Sequence, residues 1–339
     1  MGMISSNATN VPPQYRDAEQ RFREAVSVQG KIAALQEMLQ IMPKHKGTDH
    51  LKAQLRARLS KLMSDLETSS GGKGGRTEPF SLPKEGAGRS TLIGPTNVGK
   101  SFLLSSATGA KTKVGSYELS TQEPIPGMYP YSDIYIQMVD TPPIDNVATQ
   151  SRLYGLLRTS DIFVFVADLT NSPVEQTENS FRELDEWGFS LLHKGEHPDE
   201  DSQFTAKPTI IVCNKADIPG ALDHYDDMEN HYGDKYPLIM ASAQEEVGLD
   251  ELAEELFISL KIIRVYTKSP RERMQDFIKK DPVVLPIGST VGEAAQQVHK
   301  ELSHGLKYAV LWGESGKFDG QRVGRGHELS DGDVIEIHV

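Results

Sequence analysis

At 339 residues, 37% of them hydrophobic, the chain can bury the cores of two or three domains and lacks the composition of wholesale disorder. Its one cysteine, Cys213, excludes an internal disulfide, and no apolar run approaches the roughly 18 residues of a membrane helix. Without such a run no membrane partner is expected, and with a net charge of −12 no DNA partner is expected either.

In chain order, Met1 to Pro13 is polar and uncharged, without the apolar region of a signal peptide, and a cytoplasmic protein is expected. Residues 14–67 read as a helical hairpin. Leu35, Met38, Leu39 and Met42 recur at helical spacing, Leu51, Leu55, Leu59, Leu62 and Leu66 form a second stripe, and Pro43-Lys44-His45-Lys46-Gly47 breaks the helix between them. Ser69-Ser70-Gly71-Gly72-Lys73-Gly74-Gly75 reads as a flexible tether closing a first domain at 1–75, with contact to a phosphate surface as the other use of such a composition. Residues 1–76 hold 12 Lys+Arg against 7 Asp+Glu and residues 262–339 hold 11 of each, which leaves −17 on the middle. The N-terminal section is therefore the candidate surface for RNA or another polyanion, a solvated charged helix being the competing explanation.

From 86 to 262 apolar strands alternate with helical stretches, the pattern of an α/β domain with a mainly parallel sheet. Thr91-Leu92-Ile93 leads into Gly94-Pro95-Thr96-Asn97-Val98-Gly99-Lys100-Ser101, a G-x-x-x-x-G-K-S loop followed by helix-compatible Phe102-Leu103-Leu104. A chance Gly-rich turn would not need that strand–loop–helix setting. Gly94, Asn97, Val98, Gly99, Lys100, Ser101 and Phe102 are thus expected to cradle phosphates. Lys100 supplies charge to the outer ones, Ser101 a hydroxyl to Mg²⁺, and the helix its dipole. Ile134–Val139 and Ile162–Val166 read as further strands. Ser172-Pro173-Val174-Glu175 reads as a helix start with N-cap, first-turn proline and capping-box glutamate. His193 to Ala206 reads as a long loop.

Thr209–Cys213 is a buried strand, which makes the Cys213 thiol a packing residue, and it runs into Asn214-Lys215-Ala216-Asp217. At a strand end this pattern selects guanine. Asp217 can accept from both the ring N–H and the exocyclic amine, whereas adenine would leave the carboxylate unmatched. The Lys215 stem can cover the base face and Asn214 can tie this loop to the phosphate loop. Ile239 to Ala243 is a strand ending in Ser242-Ala243, suited to a backbone N–H contact with the guanine oxygen. The three motifs in this order predict binding of GTP and GDP.

Residues 263–339 read as a small β-grasp-type module. Its strands are Pro282–Pro286, Tyr308–Trp312 and Asp333–Val339, and its helix is Val291–Leu302. His299, His304 and His327 lack metal-ligand spacing, so binding and not chemistry is its expected role.

The ordered set G-P-T-N-V-G-K-S, Y-E-L-S-T (Tyr117–Thr121), I-Q-M-V-D-T-P-P, N-K-A-D and S-A resembles the Obg/DRG branch of translation-factor-related GTPases. Pro43–Thr48, Arg264-Val265-Tyr266-Thr267-Lys268 and Gln321-Arg322-Val323-Gly324 are similar to the DRG proteins in particular. The tail resembles their TGS domain, a β-grasp module shared with threonyl-tRNA synthetases and stringent-response synthetases. The resemblance implies a P-loop GTPase with Lys100 and Thr121 as catalytic residues and Mg²⁺ at Ser101, Thr121 and, through water, Asp140. It also implies a K⁺ site at Asn97 and a ribosome or RNA partner reached through residues 1–76 and the TGS domain. Two departures stand out. The family's D-x-P-G is Asp140-Thr141-Pro142-Pro143, so a backbone N–H for the γ-phosphate is missing, and Ile144 follows where some GTPases place a water-orienting glutamine. Slow hydrolysis is expected, with a non-hydrolysing nucleotide-binding scaffold or sensor as the alternative. The roughly 40 residues from Asp168 to Lys207 are also too few for the domain that DRG proteins insert between their third and fourth GTPase motifs.

Overall fold

The computed structural model describes residues 13–25, 28–42, 49–70, 80, 82–109, 123–144, 146, 149–199, 202, 204–270, 272–279 and 281–339. Thr121 with the rest of Tyr117–Thr121, the Pro43–Thr48 run and the 71–75 tether lie outside the described residues.

Three helices, α1 (Pro13–Glu24), α2 (Val28–Ile41) and α3 (Asp49–Ser70), come first. The next section runs β1 (Arg89–Ile93), α4 (Lys100–Thr108), β2 (Ile125–Tyr131), β3 (Ile134–Asp140), α5 (Gln150–Thr159), β4 (Ile162–Asp168) and α6 (Pro173–Glu186). It continues with β5 (Phe189–Leu192), β6 (Thr205–Asn214), α7 (Ala221–Tyr232), β7 (Leu238–Met240) and α8 (Leu249–Ser259). Strand order is β2-β3-β1-β4-β6-β5 with β7 also on β6, and only β2–β3 is antiparallel.

Side chains on successive strand residues point to opposite faces. Along β4, Ile162, Val164 and Val166 join Leu103 and Leu104 of α4 and Leu252 and Leu256 of α8 in one core. Phe163, Phe165 and Ala167 join Leu153 and Leu157 of α5, Leu184 of α6 and Met228 of α7 in the other. With both faces covered, the central strands read as unbroken apolar runs, which is why they were legible.

The N-terminal section departs from a lone hairpin, and Ser69 and Ser70, expected to open the tether, close α3 instead. It is three helices, and their Leu35, Met38, Leu55 and Leu59 enter the second core beside Tyr154, Trp187 and Phe189. Each fully buried leucine there stabilises the docking by roughly 1.5–3 kcal/mol. Gln36 donates to Gln150 at 3.1 Å, Arg56 pairs with Asp185, and the Ser60 and Tyr154 hydroxyls share a hydrogen bond. The two leucine stripes were wide enough for a third surface, and α5 supplies it.

Two local expectations fail. Helix α6 starts at Pro173, but Ser172 sits at φ 45 and makes no side-chain cap, so the capping box with Glu175 does not form. The reason is a turn in which the Asn171 N–H bonds Asp168 O at 3.2 Å and delivers Ser172 left-handed. The predicted 193–206 loop is shortened because β6 already begins at Thr205, where it pairs with the edge strand β5.

The C-terminal section is β8 (Ile262–Thr267), β9 (Val283–Pro286), α9 (Val291–Val298), α10 (Lys300–Gly305), β10 (Tyr308–Trp312), β11 (Gln321–Val323) and β12 (Val334–His338). Its sheet, ordered β11-β10-β12-β8-β9, surrounds a separate core of Val265, Leu285, Val291, Leu311 and Ile335. The single helix expected over 291–302 is two, because His299 is extended at φ −164 and its ring accepts from the Glu301 N–H. A capping box does form here, between Thr290 and Glu293. The two sheets meet at the β2–β3 hairpin tip. Arg264 of β8 donates to Asp133 at 3.1 Å and to Asp331 at 2.7 Å, and the Tyr266 hydroxyl bonds Asp133. The Arg264 guanidinium lies 5.1 Å from the ring of Phe257, which stacks on Tyr131.

Candidate nucleotide-binding site

Strands β1, β4 and β6 end side by side at the carboxyl edge of the sheet, where the strand order turns about β1. Open α/β sheets form their ligand crevice at that place. β1 delivers the loop. Gly94 has φ 145, Gly99 has φ 96, and Asn97 is itself left-handed at φ 65. A Cβ on Gly94 would lie 2.6 Å from Val166 O and one on Gly99 would strike the Asn214 amide, so close approach fixes both glycines as firmly as their dihedrals do. Helix α4 begins at Lys100, immediately after the loop, and its first amides and dipole favour an anion there. The Lys100 ammonium is buried and donates at 2.8 Å to both Gly94 O and Pro95 O, which folds its charge onto the loop. Phe102 packs against the α4-side core.

Asp140 ends β3, fully buried, and accepts from Ser101 Oγ at 2.5 Å. A hydroxyl beside a carboxylate is an all-oxygen donor set, which suits Mg²⁺, a hard cation that keeps several waters and needs only one or two protein ligands. Among the described residues no group of three His, Cys, Asp or Glu forms a rival metal site. Asn97, the expected K⁺ ligand, is exposed on the loop.

Asn214 joins the three motifs. It is 2% exposed, its Nδ2 donates to Val98 O at 2.9 Å, and its Oδ1 accepts from the Ala243 N–H at 3.1 Å. The tie to the phosphate loop is as expected. The Ala243 amide, however, serves Asn214, and the Ser242 hydroxyl donates to Asp217 Oδ1 at 2.6 Å. Ser242 therefore orients the Asp217 carboxylate, a role the sequence did not announce. Asp217 is exposed, so its carboxylate would be desolvated only by a ligand lying on it.

Lys215 is left-handed at φ 68 and its ammonium pairs with Asp168 Oδ2 at 2.5 Å. Asp168 ends β4, directly opposite Asn214 in the β4–β6 register, and its Oδ1 accepts from Thr170 N at 2.9 Å and Thr170 Oγ1 at 2.6 Å. Burial pushes this carboxyl up, but the hydrogen bonds from Lys215 and Thr170 outweigh it and hold the group below its ordinary value. The sequence reading passed over Asp168. Its signal was a carboxylate closing an apolar strand at the ligand edge.

In the loop after β3, Thr141 Oγ1 donates to Leu92 O at 2.7 Å, Pro142 and Pro143 are buried, and Ile144 is 1% exposed in the core with Leu153 and Tyr154. Ile144 is a packing residue. Burial likewise pushes the Cys213 thiol up to about 12, as expected of an inert core residue. A cavity of about 670 Å³ lies at the opposite edge of the strands, lined by Asp161, Pro208, Leu260 and Leu285 among others. In its wall Lys84 pairs with Asp161 at 2.6 Å and His193 lies 3.7 Å from Glu196, and its lining includes none of Gly94–Ser101, Asn214–Asp217, Ser242 or Ala243.

Residues 89–215 match the family described as 50S ribosome-binding GTPase, and residues 263–339 match the TGS domain. Fold and site together define a P-loop GTPase domain joined to a TGS domain. Similar proteins include an uncharacterized GTP-binding protein of Methanocaldococcus jannaschii, 27% identical over 93% of this chain and 94% of that one. Developmentally-regulated G-protein 3 of Arabidopsis thaliana is 29% identical over 92% and 98%, and developmentally-regulated GTP-binding protein 1 of Xenopus laevis 29% over 91% and 98%. Over about nine-tenths of its length the chain is therefore similar to developmentally-regulated GTP-binding proteins, and it matches both a GTPase and a TGS family model. The M. jannaschii alignment runs over 374 positions, more than the 339 residues of this chain, so that relative carries residues with no counterpart here. A crystal structure of a GTP binding protein from Pyrococcus horikoshii OT3 shares the fold at a TM-score of 0.50 and 21% identity, over 74% of this chain and 99% of that one.

Proposed function

We propose that this protein binds GTP and GDP in the crevice above β1, β4 and β6, hydrolyses GTP slowly, and acts in the cytoplasm as a nucleotide-controlled switch on a ribosome or RNA partner. The observation that carries the reading is the Asn214 side chain, which holds the phosphate loop and the Ser242-Ala243 strand end in one buried unit. Within it the Gly94–Ser101 loop and Lys100 bind phosphates, Asp217, oriented by Ser242, reads the guanine edge, and Ser101, with Asp140 through a water, would hold Mg²⁺. Mg²⁺ held there would supply positive charge against the negative charge that develops on the phosphates, and Asn97 would hold a K⁺ adding charge of the kind an arginine finger gives in other GTPases. Single-turnover hydrolysis with and without K⁺ tests this. Phosphate release above that of a Lys100→Ala control is expected, and its absence in every monovalent salt refutes the enzymatic part.

The partner is proposed from the family description naming the 50S ribosome and from the TGS domain. The basic count of the N-terminal section overstates its free charge, because Arg21, Arg23 and Arg56 already pair with Glu37, Glu19 and Asp185. Co-sedimentation with ribosomal subunits should differ between GDP and a non-hydrolysable GTP analogue, and identical behaviour argues against a switch.

A second reading is a guanine-nucleotide-binding scaffold that does not hydrolyse. The burial of Pro142, Pro143 and Ile144 favours it, since two prolines and a core anchor restrict the loop that would have to move.

A further inference from the structure

We infer that Asp168 is a positioning residue for the base pocket, holding Lys215 so that only its hydrocarbon stem, and not its ammonium, is presented to a purine ring. This rests on the nucleotide-binding reading above and adds a residue to it.

Lys215 stands between Asn214, which is locked by two buried hydrogen bonds, and Asp217, which reads the base. A lysine side chain is a flexible four-carbon stem with about 2 kcal/mol of rotamer entropy, so without an anchor its covering of a ring face would be transient. Asp168 is that anchor. It sits 47 residues earlier in the chain, yet the parallel β4–β6 register places it directly across from Asn214. Its Oδ2 takes the Lys215 ammonium while both the amide and the hydroxyl of Thr170 bond Oδ1, so the carboxylate cannot swing to follow the lysine. The lysine backbone is left-handed at φ 68, an uncommon conformation for a long side chain, and its neighbours' bonds hold it there. With the ammonium engaged, what Lys215 contributes is apolar cover over a ring face. A ring face looks much the same in guanine and hypoxanthine, whereas the edge that Asp217 reads differs by the exocyclic amine. Asp168 should therefore set affinity without setting base choice.

The test is a double-mutant cycle of Asp168→Ala and Lys215→Ala in the full chain. Calorimetry measures GDP and inosine diphosphate affinity for all four proteins. Asp168→Ala is expected to weaken GDP roughly tenfold, which corresponds to about 1.4 kcal/mol. The same change in the Lys215→Ala background should cost less than about twofold, and the ratio of GDP to inosine diphosphate affinity should stay constant throughout. Asp168→Asn, which keeps an oxygen for Thr170 but turns an amide toward the ammonium, should behave like Asp168→Ala and serves if the alanine variant does not fold. A full effect of Asp168→Ala without Lys215, or a shifted base ratio, overturns the proposal while leaving GDP binding intact. If the folded wild-type chain ignores GDP, the nucleotide reading falls and this inference with it.

Discussion

Replacing Asn214 is the most searching perturbation of the site. Asn214→Ala removes both side-chain bonds and leaves Val98 O and the Ala243 N–H without their buried partner. An unmatched buried group costs about 1–3 kcal/mol, so the two together cost about 2–6 kcal/mol. The crevice opens to water on one side, which favours the lower part of that range, about 2–3 kcal/mol. Part of the cost falls on folding, because the bonds hold the loops together before any ligand arrives. The remainder falls on binding, and GDP affinity should drop at least about tenfold, or 1.4 kcal/mol. Asn214→Asp separates geometry from size. It keeps the acceptor for Ala243 but turns a second, anionic acceptor toward Val98 O and adds negative charge beside the phosphates. It should bind GDP more weakly than the alanine variant at comparable stability. Calorimetric titration and urea unfolding of the three proteins decide the matter. Asn214→Asp binding GDP within threefold of wild type would refute the claim that this side chain organises the site.

Asp217→Asn should weaken guanine nucleotides and shift preference toward xanthine nucleotides, since an amide cannot accept from both donors, and an unchanged GDP affinity by calorimetry would remove Asp217 from base reading. Pro143→Gly restores an amide and a hinge, so the ratio of GTP-analogue to GDP affinity should rise; a constant ratio places the defect elsewhere. Lys207, whose ammonium donates to Arg158 O at 2.8 Å and to Ser160 O beyond the end of α5, is pushed by burial down to about 8. Its charged form is the disfavoured one in the folded chain. The penalty is therefore carried in full below pH 8 and relieved as pH rises from 8 toward 10.5, where the unfolded chain still holds the proton, an effect of up to about 3 kcal/mol. Wild-type stability relative to Lys207→Met should rise through that window in denaturant titrations, and a flat difference would show that the lysine is not buried as described.

What the sequence disclosed and what it withheld divide along physical lines. The phosphate loop and Asn214-Lys215-Ala216-Asp217 are contiguous, and their chemistry depends on backbone shape and neighbouring residues, so their residue types alone were informative. The continuous apolar runs of β4 and of residues 210–213 in β6 were legible because both faces of the sheet are covered there. Pairings across long separations were not. Nothing near Lys215 names Asp168, and nothing near Ser242 says that its hydroxyl, and not only its backbone, would turn toward Asp217. The three-helix N-terminal section was read as a self-contained hairpin because periodicity marks an apolar face without saying what covers it. The Ser172 cap failed for a similar reason, since a short motif cannot register the turn of chain that precedes it.

The seven residues of β3, Ile134–Asp140, span about 23 Å of extended chain. Just before one end, Asp133 grips Arg264 and Tyr266 of the C-terminal sheet, and at the other end Asp140 grips Ser101. Since β3 is hydrogen-bonded to neighbours on both sides, it can neither stretch nor buckle cheaply. It is a short strut with a handle at each end, one on Arg264 and Tyr266 of the C-terminal sheet and the other on Ser101 at the start of α4.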